Sequence, residues 1–591
     1  MTRDGGAWRR IRRIAAAGLG AALLTLASGC AAAADTRTVI TVWSWEPSMR
    51  AVIEDFERAN PDIRVELDAT SGYTNLNRFI QDGYNLPDVV QLEYYALGQY
   101  AVSGQLLDIT DRVADYAGQY TPGTWSSVQL NGTVYGLPMD SGPMAFFYNE
   151  DVFRQAGVDA ASIRTWDDYY EAARKLKEIG VYITADAGDA SFFNAMVWLA
   201  GGRPFLTSAD GKEVTVCLDT DAGVARFTAF WQRMIDEGLV ATNLTTWSDE
   251  WKAALGAGKV ASLFSGAWMP SLLLADVPGG SGLWRVTTMP TENGVQTNAE
   301  NGGSAMGVLR STRKPEAAFR FIDYVCHDAQ GIATRVAGGA FPADNATLND
   351  EEFLSRTTIT DSRGIDIPYF GGQRFNEVLA QAAREVSVGY QYLPFEVYAR
   401  SDFSDTVGTA YRWSAKALRY NTAKARIEAG ERTADGEEIT LPEDPGQRVS
   451  MMDGVALWQR DLLEYGTNQG FTMSSASCRL GPLGCRTATG RGAGAGPRRT
   501  LSDVAGVDLG HALEDQIRVV DIDQIGVVHE HTAQSAGGDD LEILPDLLSE
   551  LHDGALDAAE EVVIQARLHR RLRAGGQNRI RTGDLHLGQL R

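Results

Sequence analysis

The sequence predicts an α/β protein, because strand and helix patterns alternate near its start. Residues 39–43 (VITVW) are typical of a buried strand, and apolar residues follow at helical spacing over 49–56. The helical pattern stops at Pro61, after which apolar residues alternate over 63–67 as in a second strand. A strand–helix–strand unit of this kind predicts a mostly parallel sheet with helices on its faces.

From about residue 150 the chain becomes rich in predicted helices, which indicates a second lobe. Thr165 is a suitable cap for a helix over 166–179, and large apolar residues between 227 and 235 line one face of another helix. Residues 301–303 (Asn-Gly-Gly) precede a further apolar run. They predict a joint that leads into another strand.

The first thirty residues carry the pattern of an export signal. Four arginines within residues 9–13 precede an apolar run over 14–27, which is shorter than the roughly 20 residues of a membrane-spanning helix. Residues 26–30 (LASGC) resemble a bacterial lipobox, whose cysteine carries lipid. We therefore expect residues 1–29 to be a signal peptide, and a lipid on Cys30 to hold the exported protein on the outer face of the cytoplasmic membrane. The alternative is a cysteine that merely follows a cleaved signal.

Composition limits the classes of function. The net charge of −23 disfavours nucleic acid as a partner, because binding phosphates needs a basic face. His327 is the only histidine before residue 474, which nearly excludes Ser-His-Asp and Cys-His catalysis from the main body. The cysteines lack the spacing of a zinc site, so neither a metal nor a cofactor is predicted. A disulfide between Cys217 and Cys326 is compatible with an oxidising compartment.

Residues 474–591 differ sharply in composition from the main body. They contain no Trp, Tyr, Phe, Lys or Met, and residues 490–499 form a linker rich in Gly, Ala and Arg. A packed domain rarely lacks every aromatic side chain. This composition predicts a disordered or non-native extension, such as read-through. The alternative is an interaction module built on amphipathic helices over 541–551 and 555–568.

Short ordered segments between residues 36 and 472 carry a family resemblance. They are 56–63 (FERANPDI), 86–90 (LPDVV), 103–108 (SGQLLD), 135–138 (YGLP), 147–153 (FYNEDVF), 165–168 (TWDD), 266–268 (GAW) and 315–321 (PEAAFRF). In this order and spacing they resemble the extracellular solute-binding proteins of ABC transporters. The similarity is strongest to the carbohydrate-binding group that includes maltose-binding protein.

The resemblance implies a two-lobed periplasmic-binding-protein fold. Each lobe would hold a mostly parallel sheet flanked by helices, and crossing hinge strands would join the lobes. We expect the first lobe to comprise residues 30–145 and 301–345, and the second to comprise 146–300 and a helical part over 346–473. The implied partners are a carbohydrate ligand, bound in the cleft by a monomer, and the membrane permease subunits of an ABC importer.

A sugar presents hydroxyls at its edge and an apolar face of C–H bonds, so its site needs aromatic planes and planar acceptors or donors. The loops after the predicted strands supply both, where ligands of such sheets bind. The candidates there are Trp43, Trp45, Glu46, Glu93, Tyr94, Tyr95 and Asp140. Trp268 matches a position where the family stacks an aromatic ring on a sugar. Weaker candidates are Trp198, Asn301, Phe370 and Gln373.

Each candidate has a competing structural interpretation. Trp43 and Trp198 suit a core, and a lone carboxylate such as Asp140 is usually a surface charge. An exported glycosidase is the rival function, since paired carboxylates need no histidine and Glu46, Glu93 and Asp140 suit those roles. A lipid-anchored adhesin is the third possibility. It would lack a deep cleft.

Overall fold

The computed structural model describes residues 35–475 apart from 71, 209, 362 and 434–436. The predicted signal peptide, Cys30 and the residues beyond 475 lie outside the described residues. Those described belong to one compact unit. Within this part of the chain, no helix combines the length and the apolar character needed to cross a bilayer.

Strands and helices alternate through the described chain. The strands are β1 Thr38–Trp43, β2 Ile63–Asp68, β3 Val89–Glu93, β4 Gln129–Leu130, β5 Thr133–Val134, β6 Leu137–Pro138, β7 Met144–Asn149, β8 Thr184–Ala185, β9 Phe205–Thr207, β10 Glu213–Val216, β11 Val240–Ala241, β12 Ser262–Gly266, β13 Trp284–Thr287, β14 Ser304–Val308, β15 Ile359–Thr360, β16 Asp366–Ile367 and β17 Thr472–Ser474. The α-helices are α1 Met49–Ala59, α2 Tyr73–Asp82, α3 Tyr94–Val102, α4 Pro122–Ser127, α5 Glu150–Gln155, α6 Trp166–Glu178, α7 Ala190–Leu199, α8 Ala222–Asp236, α9 Asp249–Gly256, α10 Met269–Asp276, α11 Pro315–Cys326, α12 Ala329–Ala337, α13 Asn345–Leu348, α14 Glu351–Leu354, α15 Phe375–Arg384, α16 Glu396–Phe403, α17 Gly408–Glu428 and α18 Met451–Asn468.

The first lobe is built on a sheet with the strand order β2-β1-β3-β14-β6. Strand β1 pairs in parallel with β2 and β3, which confirms the predicted strand–helix–strand unit. Helix α1 buries Met49, Val52, Ile53 and Phe56 against this sheet. Each such side chain stabilises the fold by about 1.5 to 3 kcal/mol relative to an exposed one. The apolar spacing read from the sequence is therefore the face that packs.

The second lobe is centred on β7, which lies between β12 and β13. Every residue of β7 is buried because its alternating side chains enter two clusters: Phe146 and Tyr148 pack on one face, and Ala145 and Phe147 on the other. Helix α6 begins at the predicted cap Thr165, which forms a capping box with Asp168. Together these elements confirm a second helix-flanked lobe.

One detail of the predicted fold needs correction: the sheet at the centre of the second lobe is antiparallel rather than mostly parallel. Both β12 and β13 run opposite to β7, whereas the parallel strand pairs of this lobe, β8 with β11 and β10 with β17, lie outside that sheet. Apolar runs such as these predict burial on both faces. They do not specify strand direction, which depends on how the chain crosses between the lobes.

Two chain segments cross between the lobes side by side. One joins β6 to β7 and the other leads into β14, and the two meet at the bridge between Pro143 and Glu300. Gly303 has a φ of +90°, and a Cβ atom there would lie 2.5 Å from a ring carbon of Tyr94. Only glycine meets both conditions. At the joint predicted for residues 301–303, the backbone of Gly303 thus passes close to the ring of Tyr94.

The last described strand, β17, pairs in parallel with β10. The Oγ atom of Ser474 lies 2.8 Å from Oγ1 of Thr215. The folded body therefore reaches at least one residue beyond the boundary at 473 expected from the sequence. The disulfide considered between Cys217 and Cys326 does not form, because Cys326 is a buried free thiol.

Candidate functional site

A cavity of about 450 Å³ opens between the two lobes. Residues that follow β1, β6 and β12, together with the last residue of β3, bring side chains to it. The first lobe and the crossing segments contribute Trp45, Glu46, Glu93, Asp140, Asn301, Gly303 and Ser304. The second lobe contributes Asp186, Asp189, Ser191, Trp247, Trp251, Ser265 and Trp268. The cavity therefore combines aromatic planes with carboxylates, as the sequence predicted.

Four tryptophans belong to the aromatic part of the lining, together with Phe192, Phe264 and Phe341. Trp268 is half-buried, and its indole Nε1 donates a hydrogen bond to the backbone oxygen of Asn301 at 2.8 Å. Its ring lies 5.7 Å from Trp247, which in turn lies 5.3 Å from Trp251. Trp45 remains 40% exposed. The bond to Asn301 fixes the Trp268 ring beside the crossing segments, so its orientation is set before a ligand arrives.

Trp247 has a backbone conformation that is rare for its residue type. Its φ is +76°, in the left-handed region that a bulky side chain seldom adopts. The side chain is 43% exposed although it is large and apolar. A strained backbone that exposes a tryptophan at a cavity is typical of a ligand-binding position, where strain is retained for function.

Five carboxylates line the same cavity: Glu46, Glu93, Asp140, Asp186 and Asp189. Asp186 is held by the fold, since it accepts from the indole of Trp231 at 2.8 Å and from the hydroxyl of Tyr411 at 2.9 Å. Glu46 accepts from Ser48, Asp140 from the backbone N–H of Ser304, and Asp189 from that of Ser191, each through one oxygen.

Among the residues that the structure describes, the second carboxylate oxygen of Glu46, Asp140 and Asp189 has no hydrogen-bond partner. Each of these side chains is thus oriented by the protein through one oxygen and keeps the other to accept from ligand hydroxyls. No lysine, arginine or histidine from the described chain lines the cavity. The charged side chains that line the site are accordingly all acceptors.

Burial shifts the titration of these groups. Desolvation, reinforced by the nearby charge of Glu46, raises the pKa of Asp140 to about 7. Burial also raises the pKa of Asp186 to about 6 and that of Glu93 above its ordinary value. The hydrogen bonds that these carboxylates accept act in the opposite direction. The cavity is therefore less negative near neutral pH than its residue types suggest.

The structure brings Trp45, Glu46, Glu93, Asp140, Asn301 and Trp268 together, and it places the other candidates elsewhere. Trp43 is in the core of the first lobe against Phe79, because the strand ends there and the chain turns before Trp45. Trp198 is 2% exposed and donates to the backbone oxygen of Ser387. Both are packing residues, so the core interpretation holds for them.

Four further candidates lie outside the cavity lining. The hydroxyl of Tyr94 donates to the backbone oxygen of Asp140, which places the ring behind the site. Phe370 is fully buried against Phe147, and the Gln373 amide bonds both backbone groups of Val286 at the edge of β13. Tyr95 faces the helix α16 of the second lobe.

Sequence reasoning missed Trp247, Trp251, Asp186 and Asp189. Asp186 follows β8, a strand of two residues that is too short to show a period. Asp189 caps α7 and Ser248 caps α9 directly after Trp247, so each of these cavity residues adjoins a helix start. A systematic search for N-cap residues after strand ends would have found this part of the lining.

Two α/β lobes, adjacent crossing segments and a cavity of tryptophans and carboxylates between the lobes define a two-lobed ligand-binding protein. The sequence relationship is more specific. The chain belongs to the family of bacterial extracellular solute-binding proteins, whose family model matches residues 43–331.

Known relatives extend the match over the folded body. A solved ABC-transporter-associated binding protein from B. animalis subsp. lactis Bl-04, in complex with β-1,6-galactobiose, is 47% identical, with a TM-score of 0.63 over 74% of this chain and 99% of that one. The galacto-N-biose/lacto-N-biose I-binding protein of Bifidobacterium longum shares the fold at 23% identity, with a TM-score of 0.56 over 74% and 99%. A lactose-binding protein of Rhizobium radiobacter is 26% identical over 54% of this chain and 76% of its own length.

Proposed function

We propose that this protein captures a short, uncharged, galactose-containing oligosaccharide between its lobes and delivers it, as a monomer, to the permease of an ABC importer. A lipid on Cys30 would hold it at the outer face of the cytoplasmic membrane. The observation that carries the proposal is the cavity itself. Four tryptophans lie there between two lobes, together with three carboxylates that each accept hydrogen bonds from the protein through one oxygen only.

The chemistry of the cavity suits a sugar of this size. Its volume of about 450 Å³ falls in the range of roughly 300 to 1,000 Å³ typical of small-molecule sites. Indole planes cover the apolar C–H face of a pyranose, while the free oxygens of Glu46, Asp140 and Asp189 accept from its hydroxyls. The solved relative at 47% identity supports galactose as a component, since it holds β-1,6-galactobiose.

A titration with candidate sugars tests this function. Calorimetry with β-1,6-galactobiose, lactose, lacto-N-biose and maltose should give saturable binding for at least one galactose-containing disaccharide. Sugar at a hundred times its Kd should stabilise the folded protein by about 2.7 kcal/mol, which a rise in Tm measures. Mass spectrometry of the recovered sugar decides against the rival glycosidase if the disaccharide returns intact. Cleavage products would refute the binding-protein assignment.

The acidic lining predicts charge selectivity. We expect a disaccharide that carries a uronic acid or phosphate group to bind at least tenfold more weakly than its neutral counterpart, because no basic side chain from the described chain lines the cavity to pair with the anion. Paired calorimetric titrations of galactobiose and a galactosyl-uronate disaccharide measure the difference. Equal affinities would show that the carboxylates do not face the ligand.

The lipobox predicts the location of the protein. Cys30→Ser should remove the lipid attachment site and move the protein from the membrane fraction to the soluble fraction, since that lipid is the attachment proposed for it. Fractionation followed by immunoblotting measures this. Cys326→Ser, which alters a buried free thiol in the body, is the matched control and should leave the protein in the membrane fraction.

A further inference from the structure

The side chain of Arg400 spans the boundary between the lobes beside the cavity. Arg400 lies on α16, whose apolar residues Ala399 and Phe403 pack in the core of the second lobe. The same helix packs against α3 of the first lobe. The guanidinium carbon of Arg400 lies 3.5 Å from the ring centroid of Tyr95 on α3. A cation over an aromatic ring at this distance is attractive, and the attraction grows as water is excluded.

The polar contacts of Arg400 tie it to the second lobe alone. Its Nη1 donates to the hydroxyl of Ser191 on α7, and its Nε lies 3.5 Å from Oε1 of Glu396. Glu396 is fully buried and is itself fixed by the side-chain amide of Asn194, also on α7, at 2.7 Å. The guanidinium is therefore held rigidly on one lobe. It reaches the other lobe through the face of Tyr95.

Both ends of this arrangement reach the ligand site. Ser191, which accepts from Arg400, lines the cavity on the second lobe. Glu93, two residues before Tyr95, lines it on the first lobe, and the charge of Arg400 acts on this carboxylate. Tyr392 packs against the cores of both lobes and adds a second ring 5.8 Å from the guanidinium. A relative movement of the lobes would thus separate Arg400 from Tyr95 and disturb two cavity residues together.

We propose that Arg400 is an interlobe latch, a positioning residue whose contact with Tyr95 holds the lobes closed and so sets how long the bound sugar is retained. This inference rests on the proposed capture of a ligand between the lobes. The latch acts on the rate of opening. It makes no contact that selects one sugar over another.

Substitution of Tyr95 tests the latch while leaving the buried pair of Arg400 and Glu396 intact. With β-1,6-galactobiose as the probe, Tyr95→Leu should raise the dissociation rate in stopped-flow tryptophan fluorescence by roughly three- to thirtyfold, with a much smaller change in the association rate. Tyr95→Phe keeps the ring and should dissociate like the wild type. Arg400→Lys keeps the charge without the planar stacking group and should give an intermediate rate.

A matched control separates this role from general stability. Tyr170 lies under Arg233 at 3.2 Å, and both residues belong to helices of the second lobe. Tyr170→Leu removes a contact of the same kind that does not span the lobes, so it should lower Tm without changing the dissociation rate. If Tyr170→Leu and Tyr95→Leu accelerate dissociation equally, or if Tyr95→Leu dissociates at the wild-type rate, the latch is refuted.

Small-angle scattering of the ligand-free protein tests the latch independently of the sugar. Tyr95→Leu should increase the radius of gyration relative to wild type and to Tyr95→Phe, because opening separates the lobes. An unchanged radius overturns the latch. If β-1,6-galactobiose fails to bind the wild type, the assignment of that sugar fails, and the scattering result still decides the latch.

Discussion

Trp268→Ala is expected to weaken binding of the captured sugar by about 1 to 3 kcal/mol, roughly five- to 150-fold in Kd, on the scale measured for stacking on aromatic planes. The half-buried indole lines the cavity, and its Nε1 is already bound to the backbone of Asn301. The ring is therefore oriented before the sugar binds, and its loss removes a preformed surface for stacking. Calorimetry with β-1,6-galactobiose measures the change.

A second variant separates the ring from its hydrogen bond. Trp268→Phe retains an aromatic plane but loses the donor to Asn301, so it should bind more tightly than Trp268→Ala. Trp413 is the matched control. It lies on helix α17, outside the cavity lining, and its indole donates to the backbone oxygen of Gly446 at 3.4 Å. Trp413→Ala should keep the wild-type Kd. If Trp268→Ala lowers Tm severely while the remaining folded protein binds normally, Trp268 is a packing residue.

The first lobe could be predicted from the sequence because its elements are long enough to show a period. Strand β1 has six residues and α1 has eleven, and their apolar positions coincide with the buried faces. The strand pairing of the second lobe is harder to predict from the sequence. Strands β8 and β11 have two residues each, and β7 is apolar on both faces, so neither pattern specifies pairing or direction.

The site shows the same limit at the level of single side chains. Trp43 and Trp45 have the spacing of one strand face, yet only Trp45 reaches the cavity. The strand ends between them, and the backbone N–H of Trp45 donates to Oε1 of Gln91 in a turn. Trp247 could not be predicted as a site residue for a different reason. Its exposure depends on a positive φ, which the sequence Thr-Thr-Trp-Ser does not predict.

The hinge carboxylate Glu300 predicts an unusual dependence of stability on pH. It is 1% exposed at the crossing of the lobes, and burial raises its pKa from 4.5 to about 7. Below pH about 4 the carboxyl is protonated in both the folded and the unfolded chain and has no effect. As pH rises toward 7, the unfolded chain releases the proton first, so folding stability falls. Above pH 7 the full cost is about 3 kcal/mol, from roughly 1.4 kcal/mol for each unit of pKa.

Glu300→Gln should therefore raise the free energy of unfolding by up to about 3 kcal/mol at pH 8, with the gain vanishing toward pH 4. Glutamine preserves the packing, because its oxygen can accept from Ser141 and Thr124 as Oε1 of Glu300 does at 2.8 and 3.0 Å. Urea unfolding at pH 4, 6 and 8 measures the difference. Glu438→Gln, at a side chain that is 90% exposed, is the control and should show no such trend. A Glu300→Gln variant less stable than wild type at pH 8 would mean that the fold stabilises the ionised carboxylate, because the lost charge would then have been favourable rather than costly.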